Sequence, residues 1–147
     1  MKVTKVKKLM ISGISITTNN ETELSEEGGK IPVLWDEYFQ KEVFKTTFNK
    51  AHDGYMYGVY TNYKSDDTAN YDVTVGVEVT KPKKAIVIED KRYLVFSNKG
   101  ELPLIVTDTW QQIWDYFDGE PKYERSFTVD FEKYISEDEI EIYIAIN

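Results

Sequence analysis

Eight residues near the C-terminus, Glu139-Ile140-Glu141-Ile142-Tyr143-Ile144-Ala145-Ile146, alternate strictly between two side-chain classes. Side chains switch faces at every residue of a β-strand, so Ile140, Ile142, Ile144 and Ile146 line one face. Glu141, Tyr143 and Ala145 line the other. A helix would scatter the isoleucines around its circumference, whereas a strand gathers them into a row that must be covered by an apolar layer. Val73, Val75, Val77 and Val79, interleaved with Thr74, Gly76 and Glu78, form a second ladder of the same kind. The chain is therefore bound to build a sheet with at least one covered face.

Two helical segments can supply the cover. Ile31, Leu34, Trp35, Tyr38 and Phe39 recur at helical spacing, with Pro32 suited to a first turn, and predict a helix over Ile31–Phe44. Pro103 opens a second helix to about Phe117, with Val106, Trp110, Ile113, Trp114 and Phe117 on its apolar face, and Asp118-Gly119-Glu120-Pro121 stops it. Trp114, Phe117 and Phe39 are assigned to the core first. The remaining strands are read at Leu9–Thr18, Met56–Tyr63, Tyr71–Val79, Ala85–Ile88, Tyr93–Phe96, Tyr123–Tyr134 and Glu139–Ile146.

Each half thus reads strand, helix, strand, strand, joined at Lys81-Pro82-Lys83-Lys84. Leu34-Trp35-Asp36-Glu37-Tyr38-Phe39 echoes Ile113-Trp114-Asp115-Tyr116-Phe117, as duplication would leave. The predicted fold is α+β: duplicated strand-helix-strand-strand units related by pseudo-twofold symmetry, with a curved antiparallel sheet, helices on one face and a central cleft. The 147 residues suit a single domain, 1–147, with halves of about 1–80 and 85–147.

Composition removes several kinds of chemistry. A net charge of −8 disfavours direct nucleic-acid binding, which relies on Lys and Arg. The absence of cysteine excludes disulfides, thiolate nucleophiles and thiolate zinc sites. The one histidine, His52, lies in Ala51-His52-Asp53-Gly54, which reads as a solvated turn, so no metal site, cofactor or catalytic triad is expected. Leu9–Ile16 is broken by Ser12, Gly13 and Ser15, so no leader is expected, and no stretch has the length of a membrane span. The expected compartment is the cytoplasm.

The non-isoleucine face of the last strand then becomes the question. If it meets water, Glu141 and Tyr143 are ordinary polar positions. If the halves curve together, Glu141 and Tyr143 would share a cleft with Thr74, Gly76 and Glu78, Gly76 leaving room for a guest. Asp130, Glu132 and Tyr134 share one face of the preceding strand, opposite Phe127, Val129 and Phe131. A carboxylate among aromatic rings favours a lipophilic cation, since each ring face adds about 0.5–2 kcal/mol.

Asp130-Phe131-Glu132-Lys133-Tyr134, followed by a short acidic loop and Glu139–Ile146, resembles the C-terminal signature of GyrI-like effector-binding domains. Tyr93-Leu94-Val95-Phe96, Lys99-Gly100-Glu101-Leu102, Thr109-Trp110-Gln111-Gln112-Ile113-Trp114 and Lys30-Ile31-Pro32-Val33-Leu34-Trp35 extend the likeness over nearly the whole chain. The resemblance extends to stand-alone members, including bacterial proteins carried on integron cassettes. The resemblance implies a receptor for hydrophobic, cationic drugs or inducers, related to AraC- and MerR-type transcription regulators, in which a buried glutamate and aromatic residues recognise the ligand. Carried over by motif, Glu132 and Glu141 are the acidic candidates and Tyr143 their aromatic neighbour, with Trp35, Trp110 and Tyr57 as further cleft candidates; Glu78 joins them from the ladder. The expected partner is a small molecule bound by a monomer or weak dimer, without direct contact to nucleic acid or membrane. No DNA-reading module is expected beside the domain. Two alternatives stay open: a hydrolase using a cleft Glu and Tyr, and a protein-interaction module of the gyrase-inhibitor type.

Overall fold

In a computed structural model, which describes residues 1–51, 54–66, 68–89 and 91–147, both ladders are strands of one antiparallel sheet. The strands are β1 (Lys2–Val6), β2 (Leu9–Thr18), β3 (Met56–Thr61), β4 (Tyr71–Val79), β5 (Ile86–Ile88), β6 (Lys91–Lys99), β7 (Asp130–Ser136) and β8 (Glu139–Ala145). Their spatial order is β1-β6-β8-β7-β3-β4-β2-β5, so β7 and β3, one from each half of the chain, meet at the centre. The helices are α1 (Asn20–Glu23), α2 (Ile31–Gln40), α3 (Val43–Thr46) and α4 (Leu104–Asp118). The reading of His52 as a turn residue lies outside the described residues.

The helices cover one face, as the ladders require. Ile140, Ile142, Ile144 and Ile146 pack with Ile105 and Ile113 of α4, while Val73 and Val75 pack with Leu34 and Tyr38 of α2. Ile140, Ile142 and Ile144 are wholly buried, each contributing about 1.5–3 kcal/mol of hydrophobic stabilisation. Trp110 touches both clusters and so lies where the two helical layers meet.

The other face also has a core. Ile11, Tyr57, Val59, Ile88, Tyr93, Val95, Phe131 and Ala145 form one buried cluster. Its members come from both ends of the strand order, so the sheet curls into a half-barrel around them. At one bend Gly13 faces Gly76 across β2 and β4. A Cβ on Gly76 would meet the Ser12 carbonyl oxygen at 2.0 Å, so this glycine accommodates a neighbouring strand and not a guest.

Several element boundaries differ from expectation. The helix from Ile31 stops at Gln40 because Glu42 adopts the left-handed conformation, φ 48°, and α3 begins as a separate turn. The N-terminus of α2 is held from a distance: the Glu23 carboxylate on α1 accepts hydrogen bonds from the Lys30 and Ile31 amides at 2.9 and 3.1 Å. Regular strand begins only at Asp130, since Phe127 has φ 51° and Arg125 makes an isolated bridge to Ile146. Phe39, assigned to the core, is 55% exposed and stacks on Trp35, its ring centroid 5.9 Å away. No helix among the described residues is long and apolar enough to cross a membrane.

Candidate functional site

Between α2 and α4, above the central strands, lies a cavity of about 560 Å³, within the roughly 300–1,000 Å³ typical of small-molecule sites. Ile31, Pro32 and Trp35 of α2 form one wall, and Val106, Trp110 and Trp114 of α4 the other. Met56, Tyr60, Glu132 and Tyr134 belong to its floor, on β3 and β7.

Glu132 is the chemical centre of this cavity. It is 2% exposed. Its Oε2 accepts hydrogen bonds from the Trp110 indole N–H at 2.7 Å and the Tyr60 hydroxyl at 2.9 Å. Its Oε1 accepts from the Tyr134 hydroxyl at 2.9 Å. Space for the carboxylate comes from Gly58, which faces Glu132 across β3 and β7: a Cβ there would lie 2.7 Å from Oε1. Trp35 meets Tyr134 edge-on at 5.2 Å, and Tyr60 meets Trp110 at the same centroid distance, so four aromatic side chains surround the acid.

The electrostatics follow from burial. Desolvation pushes the Glu132 carboxyl above the ordinary carboxylate range, while the bonds from Trp110, Tyr134 and Tyr60 pull it back. Burial, and next the charge of Glu132, hold the Tyr60 and Tyr134 hydroxyls well above the ordinary phenol value. All three donors are neutral, so they orient the negative charge without cancelling it.

Arg125 and Asp130, at the edge of the cavity, behave differently. Their buried salt bridge is 2.7 Å long; the Tyr63 hydroxyl donates to the same Asp130 oxygen at 2.6 Å, and the Ala145 amide donates to the other at 2.9 Å. The Arg125 guanidinium also lies 4.4 Å from the Phe127 ring centroid. The charge of this cation is balanced by its own carboxylate.

The structure brings together Glu132, Trp35 and Trp110 and separates them from the other predicted site residues. Glu132 pairs directly with Ile142, and so shares the helix-covered face with the isoleucines. Glu141 and Tyr143, one residue out of step, point to the inside of the curl. There Tyr143 stacks on Phe131, centroids 4.4 Å apart, and donates its hydroxyl to Glu141 at 2.8 Å. Tyr57 belongs to the core on that same face, and Glu78 pairs with Ile11 of that core. Glu141, Tyr143, Tyr57 and Glu78 therefore do not share a hollow with Glu132, contrary to expectation: they lie on the face away from the helices, and Glu132 on the face beneath the helices.

Tyr60, Gly58 and Arg125 carry no local motif that would single them out, whereas Asp130 stands in the same motif as Glu132. Tyr134 could have been chosen, since alternation places it beside Glu132. Tyr60 could be found only through the register of β3 on β7, which sets it against Asp130.

The model of the family of integron-associated effector binding proteins, Cass2, matches residues 2–146. The chain belongs to this family. Its fold superimposes on the Cass2 integron cassette protein of Vibrio cholerae with a TM-score of 0.86 and 29% identity, covering 99% of this chain and 95% of that one. The chain is also similar to YobU of Bacillus subtilis (strain 168), whose name marks it as a candidate transcriptional regulator. The two are 28% identical over 148 residues, covering 92% of this chain and 90% of YobU. The structure of SAV2435 bound to tetraphenylphosphonium shares the fold, with a TM-score of 0.78 at 18% identity, covering 99% of this chain and 93% of that one.

Proposed function

We propose that this Cass2-family chain binds hydrophobic, cationic small molecules in the cleft between α2 and α4, as a cytoplasmic sensor or sequestering protein. The observation that carries this is Glu132: a buried carboxylate whose three hydrogen-bond donors are neutral, surrounded by Trp35, Tyr60, Trp110 and Tyr134. A buried ion costs several kcal/mol in desolvation, and the donors offset only part of that. A lipophilic cation entering the cleft supplies the missing opposite charge and brings apolar surface that the walls cover. The rings add about 0.5–2 kcal/mol per cation–π contact. The structure of SAV2435 bound to tetraphenylphosphonium, a lipophilic cation, supports this choice of ligand class.

Titrating the protein with tetraphenylphosphonium by calorimetry tests the reading. Saturable binding that falls at least tenfold in Glu132→Gln is the expected result. Equal binding by wild type and variant, or none by wild type, refutes it. Recovery of a lipophilic cationic ester unchanged after incubation, by mass spectrometry, distinguishes binding from hydrolysis.

A further inference from the structure

A second cavity, of about 1,000 Å³, lies at the C-terminal end of α4. It is bounded by Trp114, Phe117 and Asp118 of α4, by residues 121–125 and 127, and by α1. Asn20, Leu24, Trp114 and Arg125 line both cavities, so the two adjoin at these residues and are taken together as a trough. Resting on the reading of the Glu132 cleft, we propose that the trough binds one elongated ligand with two cationic centres, the second seated in this outer compartment.

Three observations carry the choice of ligand. The walls of the outer compartment are again aromatic: Trp114, Phe117, Tyr123 and Phe127 line it, and the last three already face cations of the chain itself, Arg125 at 5.8 Å from Phe117 and 4.4 Å from Phe127, and Lys122 at 5.6 Å from Tyr123. Its charge is complementary. Glu21, Asp118 and Glu124 stand against Lys122 and Arg125, and Arg125 is already neutralised by Asp130. The C-terminal end of α4, with its negative partial charge, borders the same space. The geometry sets the spacing. From Trp110, which holds Glu132, to Asp118 is eight residues of helix, or about 12 Å along its axis. Trp114 stands between them, its ring centroid 6.1 Å from that of Trp110.

The test compares two compounds with the same decamethylene chain, one bearing quaternary ammonium groups at both ends and one bearing a single such group. Calorimetry on the wild-type protein is expected to show the two-headed compound binding about tenfold or more tighter, because tethering makes its second contact intramolecular. The double variant Asp118→Asn/Glu124→Gln, which changes only exposed side chains, is expected to abolish that advantage and leave the single-headed compound unaffected. Glu132→Gln is expected to weaken both. Equal affinity of the two compounds for the wild type, or an advantage that survives the double variant, overturns the two-centre proposal while the Glu132 reading stands. If neither compound nor tetraphenylphosphonium binds the wild type, both readings fall together.

Discussion

Replacing Gly58 by alanine asks whether the Glu132 carboxylate must be held in place for a ligand to use it. The added Cβ would lie 2.7 Å from Oε1 and 3.7 Å from a ring carbon of Trp35. The carboxylate must therefore withdraw by roughly 0.5–1 Å to regain ordinary contact. The same Oε1 accepts from Tyr134 at 2.9 Å, and Oε2 is tied to Trp110 and Tyr60, so no direction of retreat preserves all three bonds. Hydrogen bonds to a charged group contribute about 1.5–3 kcal/mol each. Disturbing one of them is expected to weaken binding of a lipophilic cation by about 1.4–2.8 kcal/mol, or 10–100-fold in Kd. Folding should change less. Gly58 is not among the glycines with left-handed φ, so alanine fits its backbone, and the stiffer unfolded chain contributes about 0.4–1 kcal/mol in favour of folding. Calorimetric titration alongside urea denaturation separates the two effects. Full ligand affinity in a folded Gly58→Ala protein would show that the carboxylate need not be pinned.

Burial raises the pKa of Glu132 in the folded protein above that of the unfolded chain. As pH rises through the unfolded value, about 4.3, the unfolded state ionises first, so the free protein loses stability until the raised folded value is passed. A bound cation favours the ionised form, so its affinity should climb over that same window in wild type and stay flat in Glu132→Gln; titrations at several pH values check this. Glu141→Gln and Tyr143→Phe lie on the opposite face from the cleft, and each should leave cation affinity within about twofold, which is one-third of an order of magnitude or 0.4 kcal/mol. Asp130→Asn strands the buried Arg125 charge and should cost about 3–5 kcal/mol of stability in urea titrations.

Alternation settled which residues of each strand share a face, and helical spacing placed α2 and α4. Neither could say how β7 lies against β8. Along β8 the apolar row, Ile140, Ile142 and Ile144 with Ile146 just beyond, meets the helices; Phe131 of β7, with Val129 just before the strand, meets the inside of the curl. Neighbouring strands thus present opposite pattern classes to the same layer, and only the pairing of Glu132 with Ile142 reveals it. Sending every apolar row to the helices would put Glu132 on the inner face with Glu141 and Tyr143, whereas the register puts it on the helix side, away from them. Glu132, Trp35 and Trp110 were legible because each lies in a motif of its own, whereas Gly58 and Tyr60 acquire meaning only from the strand beside them. The break at Glu42 was invisible for another reason: a glutamate gives no warning of a left-handed turn.

Strand β7 is gripped from behind. Phe131, next in the chain to Glu132, is 1% exposed, lies flat on Tyr143 and meets Tyr93 edge-on at 5.3 Å. On the function proposed above, an anchor mounted on so firmly clamped a beam stays where it is, while the surfaces that greet a guest belong to α2 and α4, each seated on its own apolar cluster. Taste for different compounds can consequently drift by exchanging residues along those two helices, with the acidic post beneath them left untouched.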